Sequence, residues 1–429
     1  MARRARAAAA LALLACGCAW LRPRAEARDL PTWKRQAEAL RELAFTQEVN
    51  VRWIPRAEMP AVLRADAGDL LDPGLNARAR DGYAAIGLLP PDIDLAEELV
   101  KLTAREAAGI YSPRARTLFI VDPASEPDQP DMLEPVVVHE LVHALQHQHF
   151  PTPMNLMSAL RKHDDVTTAL SALLEGDASL TMFGTMSPAA RSLAVAEKAR
   201  PLLYAEAAKP GSELALAPRF LAVSLVFPYA EGTVLAAQHF EDAGNAGLDA
   251  ALRDPPLSTL RVLHPEQRAP VEFVRLPLDG LAAHGAPSQC GVGSENTVGA
   301  SALAVLLSES AEPGDPLVAE WRGDRFAQLD CGGKWELVWF TRWSSAGAAR
   351  GFAERYRALA PAIAARTPLS GPAEVVVAGR DALVVTPGLR AQADWLLSAS
   401  EVRGYGSFGD WLAGGCFPER ECPSPAAAE

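Results

Sequence analysis

The sequence predicts an α+β protein. A mostly helical region with a small sheet comes first, and a smaller α+β region with an antiparallel sheet follows. Three observations carry this. Ala/Leu-rich stretches with apolar residues at helical spacing dominate residues 135–241. Apolar runs broken by tight glycine turns, at Cys331-Gly-Gly333 and Ala378-Gly379-Arg380, dominate the chain beyond residue 316. The length of 429 residues suits two or three cores rather than one. The Ala/Gly/Pro/Ser-rich stretch 281–293 marks the boundary, so the expected segments are 1–28, 29–285 and 286–429.

In chain order, Met1 to Ala19 reads as a targeting segment. Arg3, Arg4 and Arg6 precede an Ala/Leu run that is too short for a stable membrane span. Leu13-Leu14-Ala15-Cys16 resembles a bacterial lipobox, which implies lipid on Cys16, with Cys18 the poorer alternative. No other apolar run reads as a span. Leu30 to Phe45 reads as a helix. Glu48 to Pro55 alternates as a strand, and Asp94 to Ala108 is a helix ended by Gly109. Gly109 to Asp122 reads as a β-hairpin turning near Ser112–Arg116. Pro123 to Asp131 is an acidic loop.

The next helix carries the chemistry. Pro135 suits a first helical turn, and Val138, Leu141, Val142 and Leu145 form its apolar stripe. Within it lies His139-Glu140-Leu141-Val142-His143. Residues four apart on a helix lie about 40° from each other around the axis, so both imidazoles point one way, one turn apart. That is the spacing two nitrogens need to hold one zinc ion. Glu140 projects about 100° further round, where it can take a proton from water. Pro151 and Pro153 stop the helix. His147 and His149 are too far along it to complete a tetrahedron and read as solvent-side or supporting residues.

Catalytic zinc takes three protein ligands, and the best third candidate is Glu175, on a helix that Asp164 or Asp165 can cap. Small residues around Glu175 would let another helix approach, and a carboxylate so placed needs a partner. Asp177 is the candidate to orient a ligand from behind. Helices are expected over about 187–208 and 231–241, with Phe227–Thr233 leading into the second. A short helix is expected within 255–265. Tyr229, His239 and His264 are candidates to stabilise an oxyanion, with Tyr229 and His264 preferred because each reads as lying at an element boundary.

His-Glu-Leu-Val-His, followed by a helix carrying Glu175-Gly-Asp-Ala178, resembles the gluzincin group of zincin-fold zinc metallopeptidases. His139-Glu-Leu-Val-His-Ala-Leu-Gln-His-Gln-His-Phe150 also resembles bacterial secreted proteins of this type. The resemblance covers about residues 109–180. It implies one Zn2+ held by His139, His143 and Glu175, with Glu140 as general base and acid. It also implies that the strand before the zinc helix lines the cleft. The group's usual acid four residues after the glutamate is here Ser179, so Asp177 stands as the substitute.

The expected activity is therefore exported, zinc- and Glu140-assisted attack of water on a peptide bond, with a peptide or protein as substrate. A cell-wall amidase would use the same residues. A non-catalytic envelope protein whose C-terminal region binds a partner is the alternative from another class. The net charge of −12 and the lack of a Lys/Arg stripe argue against nucleic acid, and membrane contact is expected through the lipid alone.

Beyond the boundary, Glu295 to Ser308 reads as helical. Strands follow at 317–330, 334–343 and twice within 374–386, with helices at 346–359 and 389–398. Trp335, Trp339 and Trp343 share one strand face, as core or as a binding surface. Cys290, Cys331, Cys416 and Cys422 are disulfide candidates, with Cys290–Cys331 and Cys416–Cys422 the preferred pairing because the latter closes a short loop.

Overall fold

Helix α1 (Leu30–Arg41) starts where the Asp29 carboxylate accepts from Thr32 N. It leads into β1 (Asn50–Ile54), then α2 (Met59–Ala67), α3 (Pro73–Ile86) and α4 (Leu95–Glu106). The hairpin forms as β2 (Gly109–Ser112) and β3 (Thr117–Val121). The order is β1-β3-β2, with β1 parallel and β2 antiparallel to β3, so β2 is an edge strand. The computed structural model describes residues 29–123, 133–286, 289–308, 312–419 and 422. Cys16 and the acidic loop after Pro123 lie outside the described residues.

Helix α5 (Leu133–His149) lies on this sheet. Val137, Val138, Leu141, Ala144 and Leu145 pack with Tyr111, Leu118 and Ile120 and with Trp33 of α1. Burial thus holds a valine-rich first turn that helix propensity alone would not favour. The helix ends before Pro151 as expected, yet Pro151 also opens α6 (Pro151–Ala159), where its missing N–H costs nothing.

Helix α7 (Asp164–Met186) follows. Neither Asp164 nor Asp165 caps it: the N-cap position is His163. Asp164 instead accepts from the Tyr83 hydroxyl, and Asp165 from Thr259 N at 3.0 Å. Tertiary partners claim both carboxylates.

Next come α8 (Leu193–Ala207), α9 (Glu213–Leu216), α10 (Arg219–Ala243), α11 (Asn245–Arg253) and α12 (Thr259–Leu263). Phe227–Thr233 is not a lead-in but the middle of α10, which runs through Pro228. An interior proline costs a helix about 3 kcal/mol, and the burial of Phe227, Pro228, Ala230 and their neighbours offsets it. By length and composition α10 could also cross a membrane, contrary to expectation, but 78% of its apolar window is buried inside the protein. It is a core helix.

The remaining elements are β4 (Val271–Arg275), β5 (Gly291–Asn296), α13 (Gly299–Leu307), β6 (Trp321–Asp330), β7 (Trp335–Trp343), α14 (Ala346–Arg366), β8 (Glu374–Ala378), β9 (Asp381–Val385), α15 (Ala393–Ala399), β10 (Glu401–Tyr405) and α16 (Phe408–Ala413). An antiparallel sheet runs β5-β6-β7-β9-β8, and β10 pairs with β4 separately. Glu295 and Asn296, expected to be helical, pair with Ala327 and Phe326 in the sheet. Helix α13 starts only at Gly299, where φ is 77°. There Asp324, reaching from β6, accepts from Val298 N at 2.9 Å and Gly299 N at 3.0 Å. A cap from another strand sets this start, so local sequence does not reveal it.

One core joins the two halves of the chain. Tyr83 and Ile86 of α3 and Val226 and Ala230 of α10 belong to the same buried cluster as Trp339, Trp343, Phe352 and Tyr356. Trp321, Trp339 and Trp343 are buried and Trp335 packs at the margin, so this row is core. Cys290 bonds Cys331 and Cys416 bonds Cys422.

Candidate metal centre

The face of α5 turned away from the sheet meets α7. His139 and His143, one turn apart, present their Nε2 atoms 3.1 Å from each other. Glu175 of α7 places Oε2 3.1 Å from His139 Nε2 and 3.4 Å from His143 Nε2. One donor atom from each residue lies within 4.8 Å of the others, which makes this a group that could hold a metal ion. Glycine makes the surroundings possible. A Cβ on Gly176 would stand 2.0 Å from Gly232 O of α10, and one on Gly232 would stand 2.0 Å from Ala172 O of α7. These helices touch backbone to backbone at the turn that carries Glu175 and Tyr229.

Tyr229 reaches the centre from α10. Its ring stacks on that of His139, with centroids 6.1 Å apart and planes 23° apart. Burial, then the charges of Glu175 and Glu140, hold its phenol well above the usual range, so it is a proton donor. Glu140 is buried, and its Oε2 accepts from Tyr111 N of the edge strand at 2.7 Å. Gly109 lies close by: a Cβ there would be 3.1 Å from Glu140 Cγ. Burial raises the Glu140 carboxyl, against the lowering pull of His139 and His143.

Behind this group, His143 Nδ1 lies 2.9 Å from Gln146 Oε1. Gln146 Nε2 donates to Leu174 O and to Asp177 Oδ2, each at 2.9 Å. Asp177, fully buried, pairs with Arg41 of α1, whose Nε is 2.9 Å from Oδ1. Asp177 therefore stands behind His143 through Gln146. Sequence reasoning passed over Gln146, Arg41 and Tyr111. The one signal for Gln146 was its place three residues after His143, on the same helix face.

The donor chemistry fits a cation. Gln146 Oε1 can only accept, so Nδ1 is the His143 nitrogen that donates to it, and Nε2 is the one left facing His139 and Glu175. Two ring nitrogens and a carboxylate converge at one point, which suits them to share a positive charge, either a proton or a metal ion. The protonation balance says the same. Burial opposes charge on His143, yet Glu175 raises its pKa to about 9. The carboxyl of Glu175, despite burial, is held well below the usual range by His143 and His139.

The other candidates lie elsewhere. His264 is the C-cap of α12 and pairs with Glu266 at 3.5 Å. His239 is near the end of α10, lowered by burial and raised in part by Asp242. His147 Nδ1 lies 2.9 Å from the Tyr111 hydroxyl, and His149 Nε2 lies 2.7 Å from Ala44 O.

Among known proteins, a family model described as a domain of unknown function (DUF8575) matches residues 288–394, from β5 into α15 and apart from the centre itself. No curated protein and no solved structure matches the chain.

Proposed function

We propose that the chain is an exported, gluzincin-type zinc metallopeptidase. The observation that carries this is the convergence of His139 Nε2, His143 Nε2 and Glu175 Oε2 at 3.1–3.4 Å, with Glu140 beside the two histidines on α5. These three residues would hold the ion. When bound, zinc supplies a Lewis acid that polarises the carbonyl and acidifies water. Glu140 takes the proton of the attacking water and hands it to the leaving amine. Tyr229 donates to the oxygen on which negative charge develops. The edge strand β2 offers backbone groups beside Glu140 to an extended peptide. Two disulfides support an oxidising compartment and hence export, with Cys16 as the lipid site.

The test is metal content and hydrolysis measured on the same preparations. The wild-type chain is expected to carry about one zinc, and His143→Ala and Glu175→Ala to lose it. Glu140→Gln is expected to keep zinc and lose hydrolysis of a peptide library. No zinc in the wild type after reconstitution, or unchanged hydrolysis in Glu140→Gln, would reject the reading.

A further inference from the structure

Of the two histidines, only His143 has its second nitrogen engaged. His139 Nδ1 is buried with no hydrogen-bond partner among the described residues, whereas His143 Nδ1 faces Gln146 Oε1 at 2.9 Å. A glutamine amide can present oxygen or nitrogen by turning over, and the two faces demand opposite imidazole tautomers. With nitrogen forward, Gln146 would donate to His143 Nδ1. The ring proton would then sit on Nε2, where the ion must bind. What prevents the turn is a pair of acceptors behind the amide, Leu174 O and Asp177 Oδ2, both 2.9 Å from Gln146 Nε2. Asp177 is buried and pairs with Arg41, whose Nε lies 2.9 Å from Oδ1. Arg41 is itself pinned by Asn245 Oδ1 at 3.1 Å and Asp249 Oδ1 at 2.8 Å.

We propose that Gln146 is a positioning residue that locks His143 with its proton on Nδ1, and that Asp177 and Arg41 lock Gln146. Helix α1 thereby sets the affinity of the centre from outside it. This rests on reading His139, His143 and Glu175 as metal ligands. Groups that orient a metal-binding histidine are worth roughly 10–100-fold in metal affinity, and here that effect passes through one nitrogen of one ligand.

The experiment measures zinc affinity of the full chain by competition with a chelator, and the ring nitrogens of the zinc-loaded protein by long-range 1H–15N spectra. In the wild type, His143 should show a protonated Nδ1 and a zinc-bound Nε2. Gln146→Leu should weaken zinc roughly 10–100-fold and speed exchange of the His143 Nδ1 proton, leaving His139 as it was. Gln146→Glu should weaken zinc as well, because the new carboxylate faces Asp177 and Leu174 O. Adding Asp177→Asn to Gln146→Glu reverses donor and acceptor at one charge, and should recover most of the loss. Zinc affinity unchanged in Gln146→Leu, zinc on His143 Nδ1 in the wild type, or no recovery in the double variant would overturn the proposal alone. A wild-type chain that takes up no zinc would remove the metal centre as well. If Gln146→Leu fails to fold, the wild-type spectrum and the double variant still decide.

Discussion

Tyr229 shows how much one side chain's role depends on where its helix crosses another. Its sequence neighbours suggest a boundary, because Pro228 precedes it, yet it sits in the middle of α10 with its ring stacked on His139. A phenol beside the proposed ligand set, held protonated by burial and nearby carboxylates, is suited to stabilise developing negative charge rather than to bind a metal ion. Tyr229→Phe is therefore expected to lower kcat about 10²–10³-fold, the usual effect of losing one such donor, with zinc content retained and KM little changed. Steady-state kinetics beside metal analysis checks this. A loss confined to KM would make Tyr229 a binding residue instead.

Among elements, the crossing of α7 and α10 decides whether the centre exists. Gly176 and Gly232 allow the two backbones to touch, and a methyl group on either would meet a carbonyl oxygen at 2.0 Å. Backbone cannot yield as a side-chain tip can, so the helices must separate. Gly176→Ala and Gly232→Ala are each expected to cost about 1–3 kcal/mol of stability, the range for overpacking, and to weaken zinc binding by displacing Glu175. Gly314→Ala, where nothing lies within 4 Å of the added carbon, is the control and should stay within about 0.5 kcal/mol. Denaturant unfolding gives the first quantity and chelator competition the second. Stability losses equal to the control's would mean that the crossing is not tight. The same crossing explains why small residues around Glu175 were a readable signal while the length of α10 was not. A close helix contact needs glycine, which sequence displays, but a proline inside a helix is offset only by packing that sequence does not display.

At the scale of the molecule, the helices around the centre and the five-stranded sheet are tied through one core. Tyr83 of α3 packs against Phe326 of β6, with ring centroids 6.0 Å apart, and Trp339 of β7 donates Nε1 to Asp324, which caps α13. Elements that share buried apolar surface lose it together. Calorimetry of the metal-free chain is expected to show a single endotherm, with near-UV circular dichroism following the same curve. Two resolved transitions would mean that the halves on either side of residue 285 hold separate cores. In Trp339→Ala that single transition should fall by the equivalent of about 3–5 kcal/mol, because the indole is buried between Phe352 and Tyr356.

By itself the sequence determined the fold class, the hairpin before the helix of His139 and His143, a preferred pairing of four cysteines and the histidine spacing. Each rests on local periodicity, turn chemistry or loop length, and those act over a few residues. It also singled out Glu175, because a carboxylate among small residues on an apolar helix has to be paid for by a partner. Only the tertiary structure decided which atoms meet. Gln146 fixes one face of His143, Arg41 reaches Asp177 from 136 residues away, Tyr111 N serves Glu140, and Asp324 starts a helix from a neighbouring strand. None of these has a local signature. A hydrogen bond between distant residues is chosen by how helices and strands pack, and the side chains that make it look like ordinary polar residues until the packing is known.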